Sequence, residues 1–175
     1  MPLYRVDKRH FNNDEIITPQ TTFEGVMNDL QLEVEMSLNN LKPPSVPVRK
    51  ECLYLFCNLS SALTFCYKYG GYIYGVTIED EDFHWRADMN MLDNIYDVFK
   101  ITDCNDIRTA IVRRYWKEGA HTFQPCYEYL VRQAKVTSIV FKEENAKGII
   151  KSEIDKYGTI EKTPIFNSIL NKYQM

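Results

Sequence analysis

The chain has 175 residues, of which 45% are hydrophobic and 26% are charged. These are the values of an ordinary globular protein, and they exclude a disordered or fibrous class. The 21 basic and 24 acidic residues give a formal net charge of -3, which disfavours non-specific binding to nucleic acid.

The lack of a recognisable targeting signal and the pattern of cysteines lead us to expect a cytoplasmic protein. No stretch reaches the roughly 18 to 20 apolar residues that a membrane span needs, and the N-terminus has no basic segment followed by an apolar run. The five cysteines form an odd set without a C-x-x-C pair, which argues against a disulfide framework and a structural zinc site. We expect one soluble domain over residues 1–175, with reduced thiols, no bound metal, no membrane partner and no disulfide-linked partner.

The first 50 residues predict a short β pair followed by a helix. Leu3 to Val6 and Glu15 to Ile17 have strand character on either side of a polar turn. From Glu24 to Leu41, apolar residues recur at spacings of three and four, which predicts an amphipathic helix. The prolines at positions 43, 44 and 47 end that helix.

The next segment predicts a strand, a helix and a second strand. Glu51 to Cys57 is an apolar run suited to a buried strand, and Asn58 or Ser60 can cap the helix that follows it. That helix is expected to end at the glycines 70 and 71. Tyr72 to Ile78 is rich in β-branched and aromatic residues, so we expect a second strand of the same sheet.

The second half of the chain is predicted to be mainly helical, with one late strand. Apolar spacing, capping residues and proline placement give the boundaries. In chain order we expect helices from Met89 to Phe99, with Asp88 as cap, and from Asp106 to Trp116, a strand from Val136 to Phe141, and helices from Glu143 to Tyr157 and from Pro164 to Tyr173, the last with Thr163 as cap.

Two short segments combine apolar residues with groups able to do chemistry. In the first, the strand Leu53-Tyr54-Leu55 leads into Ser61-Ala62 near the start of a helix, where free N–H groups face anions. In the second, Glu128 stands among aromatic and aliphatic residues in Tyr127-Glu128-Tyr129-Leu130-Val131. A carboxylate in such surroundings is costly unless it has a partner or a function.

These segments resemble signature elements of the NAD-dependent ADP-ribosyltransferase superfamily. Leu53-Tyr54-Leu55 and Ser61-Ala62 are similar to the second element of its H-Y-E branch, which includes the poly-ADP-ribose polymerases, and Glu128-Tyr129-Leu130-Val131 resembles the E-Y-I-V segment of the third. The first element, a strand-borne His or Arg, is matched by Arg5 in Tyr4-Arg5-Val6. An arginine there is typical of the bacterial toxin-like R-S-E branch, so the chain mixes two patterns.

The resemblance implies an α+β fold with an ADP-ribosyltransferase-like split β-sheet and surrounding helices. It implies that Glu128 is the catalytic carboxylate, because breaking the nicotinamide–ribose bond of NAD builds positive charge on the sugar. It also implies that ADP-ribose is transferred to a macromolecular acceptor, a protein or a nucleic acid, as in a stand-alone toxin or host-modifying enzyme. The residues that it implies for binding NAD are Arg5, Tyr54, Ser61, Phe65 and Tyr72.

Other interpretations of the same residues remain open. Glu128 could be a surface glutamate on a short helix, and Arg5 could form an ion pair with Asp7 or Glu15. A cysteine hydrolase would use Cys57 or Cys126 as nucleophile with His84 or His121 as base. A non-enzymatic interaction module, such as a degenerate transferase fold, would use a tyrosine-rich surface. Its tyrosines would be Tyr67, Tyr69, Tyr72 and Tyr74.

Overall fold

The computed structural model of the protein describes residues 2–20, 27–142 and 145–173. Within these ranges it has seven strands and six α-helices, which confirms the mixed α+β class. The strands are β1 (Leu3–Asp7), β2 (Ile16–Ile17), β3 (Leu53–Phe56), β4 (Tyr72–Thr77), β5 (Phe83–Asp88), β6 (Tyr127–Val131) and β7 (Ala134–Phe141). The helices are α1 (Asp29–Leu41), α2 (Leu59–Tyr69), α3 (Asn90–Ile101), α4 (Asn105–Tyr115), α5 (Ala146–Tyr157) and α6 (Pro164–Tyr173).

The chain divides into two compact units, each assembled from segments that are distant in sequence. The first unit comprises Met1–Ile17, Leu55–Glu79 and Ala134–Met175. The second comprises Thr18–Tyr54 and Asp80–Gln133.

The first unit is built on an antiparallel sheet in the order β2-β7-β4-β1, with Phe56 of β3 paired to Tyr4 of β1. The expectation that β1 and β2 form a pair is therefore wrong. Three of the five residues of β1 are buried, so this strand needs partners on both sides. The two-residue β2 is too short to cover it and instead extends the edge of β7.

Helices α2, α5 and α6 belong to the same unit, and α2 and α6 have the caps that the sequence predicts. Asn58 accepts a hydrogen bond from the Ser61 N–H at 2.7 Å, and Gly70, with φ 74°, ends α2. Thr163 accepts from the Phe166 N–H at 3.2 Å at the start of α6. The fully buried apolar residues of this unit include Leu63, Cys66, Ile73, Val136 and Ile150.

The second unit packs α1, α3 and α4 around a core that includes Val34, Leu38, Ile95 and Val112, each 0% exposed. Helix α1 begins at Asp29 rather than Glu24. At this start the Asn28 side chain accepts a hydrogen bond from the Gln31 N–H, and the Gln31 side chain accepts one from the Asn28 N–H. Both hydrogen bonds are 2.9 Å long, and together they cap the helix. Residues 21–26, where the predicted helix began, lie outside the described ranges.

Two strands of the second unit were not predicted. β5 and β6 are antiparallel and place Ala87 opposite Glu128. Neither segment was expected to be a strand. The local pattern of each is weak, and the two strands are stabilised by pairing with each other.

The described parts of the chain contain no helix that is both long enough and apolar enough to span a membrane. None of the five cysteines forms a disulfide in the structure.

Candidate functional site

Glu128 lies on β6 and points into the second unit. The residue is 2% exposed, so the interpretation of a surface glutamate on a short helix is wrong. Its Oε1 accepts a hydrogen bond from the Tyr115 hydroxyl at 2.5 Å and one from Arg49 Nη1 at 3.2 Å. The carboxylate therefore has the charged and polar partners that its burial requires.

Arg49 is the residue around which this site is organised. It follows the three prolines after α1 and begins a single 3-10 turn, Arg49–Glu51, that leads into β3. Its Nε lies 3.2 Å from Glu35 Oε1 on α1, and its backbone N–H donates to Asn39 Oδ1 at 3.0 Å. Nη1 also donates to the Tyr115 hydroxyl. The side chain is 5% exposed.

Two tyrosine rings cover the guanidinium of Arg49. The centroids of Tyr54 and Tyr115 lie 5.0 and 5.1 Å from its central carbon, which is cation–π geometry. The Tyr54 hydroxyl also donates to the Arg49 carbonyl at 2.8 Å. We call Glu35, Arg49, Tyr54, Tyr115 and Glu128 the Arg49 cluster; all five belong to the second unit.

The ionisation of the cluster follows from its burial. Burial alone would lower the pKa of Arg49, but Tyr115, Tyr54 and the two carboxylates outweigh it and hold that pKa well above its usual value. Burial raises the pKa of the Tyr54 and Tyr115 hydroxyls, so both stay protonated and able to donate. One guanidinium faces two carboxylates, and when all three are ionised the cluster has one net negative charge.

The structure brings together two of the residues that the resemblance implies for one site. Tyr54 and Glu128 are 74 positions apart in sequence, and both contact Arg49. Both residues belong to the second unit. Tyr54 is half-buried and lies against the cation rather than in the apolar core alone.

Arg5 and Tyr72 belong to the first unit. Arg5 forms an ion pair with Asp7, with Nε and Nη2 at 3.1 and 3.0 Å from Oδ2, which is one of the alternatives that the sequence left open. The Tyr72 hydroxyl lies 2.8 Å from His10 Nε2, and the two rings are in contact. Their proposed contacts with NAD stay predictions.

Ser61 and Phe65 lie on α2, also in the first unit. The Ser61 N–H is used by the helix cap. The Phe65 ring packs against Phe56 and Tyr69, with centroids 5.2 and 4.5 Å away. The proposed roles of Ser61 and Phe65 in binding NAD also stay predictions.

The residues of the competing interpretations are spread over both units. Cys126 and His121 lie in the loop before β6, where His121 Nδ1 bonds the Thr122 carbonyl at 2.7 Å. Cys57 belongs to the first unit and His84 to the second. Burial lowers the pKa of His84. In the tyrosine-rich segment, Tyr74 is 1% exposed and Tyr69 is 57% exposed.

The loop between α4 and β6 is fixed by a second buried carboxylate, Asp88, which is 0% exposed. Its Oδ2 accepts from the Thr122 N–H and hydroxyl, each at 2.7 Å. Its Oδ1 accepts from the N–H groups of Asn90 and Cys126 at 3.1 and 2.8 Å. Asp88 therefore fixes the segment that leads into Glu128.

Sequence reasoning missed Arg49, Glu35 and Tyr115. Arg49 stands in Val48-Arg49-Lys50-Glu51 after prolines, which is typical of an exposed charged turn. Glu35 and Tyr115 lie on helices with no motif to mark them. No local signal identifies this group, because its members meet only through contacts between α1, α4, the 3-10 turn and β6.

Comparison of the sequence with models of known protein families finds no match, and comparison with curated proteins finds none either. Among the described residues, no group of three or more His, Cys, Asp or Glu side chains is arranged to hold a metal ion.

Proposed function

We propose that the protein is an NAD-dependent ADP-ribosyltransferase in which Glu128 is the catalytic carboxylate. The observation that carries the proposal is the meeting of Tyr54 and Glu128 at Arg49. These two residues come from separate segments that resemble the second and third signature elements of that superfamily. A shared site is what the resemblance requires of them.

The chemistry that this site would perform is cleavage of the bond between nicotinamide and ribose. The bond electrons leave with nicotinamide, and positive charge builds on the ribose as the bond lengthens. A preorganised carboxylate inside a protein stabilises that charge strongly, because the surrounding dielectric is low. The acceptor, a protein or a nucleic acid, then supplies the nucleophile that bonds to the ribose.

The tyrosines have separate roles in the proposal. Tyr54 provides an aromatic wall for the nicotinamide ring, as the resemblance implies. Tyr115 donates its hydroxyl hydrogen to Glu128 and so fixes the carboxylate orientation. The finer fold assignment, an ADP-ribosyltransferase-like split sheet, is part of the same proposal.

A second candidate is a non-enzymatic interaction module with a degenerate transferase fold. The observation that favours it is the burial of Glu128, whose side chain is 3% exposed and paired with Arg49. A buried ion pair of this kind can serve the structure alone. Such a protein would neither bind nor consume NAD.

Nicotinamide release from NAD separates the two candidates. The wild-type protein and Glu128→Gln are compared, with and without cell lysate as a source of acceptor, and NAD binding is followed by calorimetry. Glu118→Gln is the matched control, because Glu118 is an exposed glutamate of the same unit. Release that depends on Glu128 but not on Glu118 supports the transferase, whereas neither binding nor release by the wild type supports the interaction module.

A further inference from the structure

The cation that pairs with buried Glu128 is the guanidinium of Arg49, at 3.2 Å. A carboxyl group inside a protein binds a proton unless a cation or several donors stabilise its charged form. Tyr115 supplies one neutral donor to the same oxygen, Oε1. Arg49 is therefore the group that offsets the negative charge of Glu128.

The ionisable groups around Arg49 and Glu128 come from three elements and from Cys52, the residue before β3. Glu35 approaches from α1, Tyr115 from α4 and Tyr54 from β3. The thiol of Cys52, next to β3, is uncharged, because burial raises its pKa to about 11. On β5 the residue opposite Glu128 is Ala87, which has no charge.

Glu35 decides the net charge of the group. With Arg49 and Glu128 alone, the pair would be neutral and would offer little to a developing cation. Glu35 lies 3.2 Å from Arg49 Nε, and its side chain is 19% exposed. It therefore adds a second negative charge at a different nitrogen of the guanidinium.

We propose that Arg49 is a positioning residue of the transferase site, which keeps Glu128 ionised inside the protein while Glu35 leaves the cluster with a net negative charge. The inference rests on the proposed function, because a net negative charge here favours a reaction that builds positive charge on the ribose. Neither residue needs to touch NAD. Arg49 acts through Glu128, and Glu35 acts through the negative charge that it adds to the cluster.

Infrared spectroscopy of carboxyl groups tests the ionisation directly and does not depend on activity. In the wild type at neutral pH, Glu128→Gln should remove no band of a protonated carboxyl group. Arg49→Met should create such a band, and adding Glu128→Gln to it should remove the band again. Arg49→Lys, which keeps the charge, and Arg113→Met, the same change at an exposed position of α4, should leave the spectrum unchanged.

Nicotinamide release tests the consequence for the reaction. Arg49→Met should lower the rate at neutral pH by at least about 10-fold, because the charged partner of Glu128 is lost. Arg49→Lys should restore most of the rate. Glu35→Gln should lower kcat by about 10-fold and leave KM unchanged, because it alters the field at the ribose without touching the substrate.

The infrared and kinetic measurements can contradict the account separately. A protonated Glu128 in the wild type, or an ionised Glu128 in Arg49→Met, overturns the role assigned to Arg49. If Arg49→Met does not fold, the wild-type spectrum and the kcat of Glu35→Gln decide instead, and an unchanged kcat overturns the charge argument. A wild type that releases no nicotinamide contradicts the proposed function, and the infrared comparison still decides whether Arg49 keeps Glu128 ionised.

Discussion

The hydroxyl of Tyr115 links the two charges at the centre of the Arg49 cluster. Tyr115→Phe removes this group and keeps the ring, so it creates no cavity. The change deletes a buried hydrogen bond of 2.5 Å to the carboxylate of Glu128 and an acceptor for Arg49. Hydrogen bonds to charged groups contribute about 1.5 to 3 kcal/mol each, so we expect the free energy of unfolding to fall by about 2 kcal/mol.

Urea denaturation of the purified proteins measures this loss, and a fall in Tm of about 4 to 8 °C should accompany it. Tyr69→Phe is the matched control, since Tyr69 is 57% exposed and its hydroxyl should contribute less than about 0.5 kcal/mol. In a Glu128→Gln background the cost of Tyr115→Phe should fall by about 1 kcal/mol, because the acceptor is then neutral. If Tyr115→Phe costs no more than Tyr69→Phe, the hydrogen-bonded network is refuted.

Two buried carboxylates and one glycine outside the Arg49 cluster give further expected outcomes. Burial raises the pKa of Asp7, but the Arg9 and Arg5 guanidiniums outweigh it and hold that pKa below its usual value. The unfolded chain therefore takes up this proton first, and the stability that Asp7 contributes is present above about pH 4 and lost as the pH falls further. Urea titrations should show this loss in the wild type and a smaller one in Asp7→Asn; equal losses would contradict it. Gly75→Ala would place a Cβ 2.4 Å from Ser138 Oγ and should cost about 1 to 3 kcal/mol in urea unfolding, with Ser138→Ala restoring most of it; no rescue would mean that the strain lies elsewhere. Asp88→Asn replaces one of the two acceptor oxygens with an NH2 donor and should cost about 1 to 3 kcal/mol while speeding proteolysis of the loop between α4 and β6; an unchanged cleavage rate would show that Asp88 does not fix the loop.

Much of the secondary structure follows from local rules. Neighbouring residues in the sequence predict the apolar spacing of α3 and α4. They also predict the caps, Asn58 for α2 and Thr163 for α6. The start of α1 could also be predicted from neighbouring residues, since Asn28 and Gln31 have the spacing of a reciprocal cap. The apolar Val26 made the helix look longer than its described part.

The strand β6 was not predictable in the same way. Its buried residues include Glu128, which breaks the apolar alternation that marks a strand. The partners that make this burial possible, Arg49 and Tyr115, are 79 and 13 positions away in sequence. The signal for the strand therefore lies in tertiary contacts.

The candidate site was predictable only in part for the same reason. A resemblance could single out Glu128 and Tyr54, because each stands in a short recognisable segment. It could not provide Arg49, whose neighbours in sequence are those of an exposed turn, or Glu35, which is one acidic residue among several on α1. The charge balance of the site depends on residues without a motif.

The rate of nicotinamide release from NAD by the wild type and by Glu128→Gln tests the central claim most directly. Both proteins are first shown to be folded by circular dichroism, and Glu118→Gln is measured beside them. We predict that the wild type and Glu118→Gln release nicotinamide at similar rates and that Glu128→Gln is slower by about 100- to 1,000-fold. Equal rates for a folded Glu128→Gln and the wild type, or no release by any of the three, would contradict the role of Glu128 as the catalytic carboxylate.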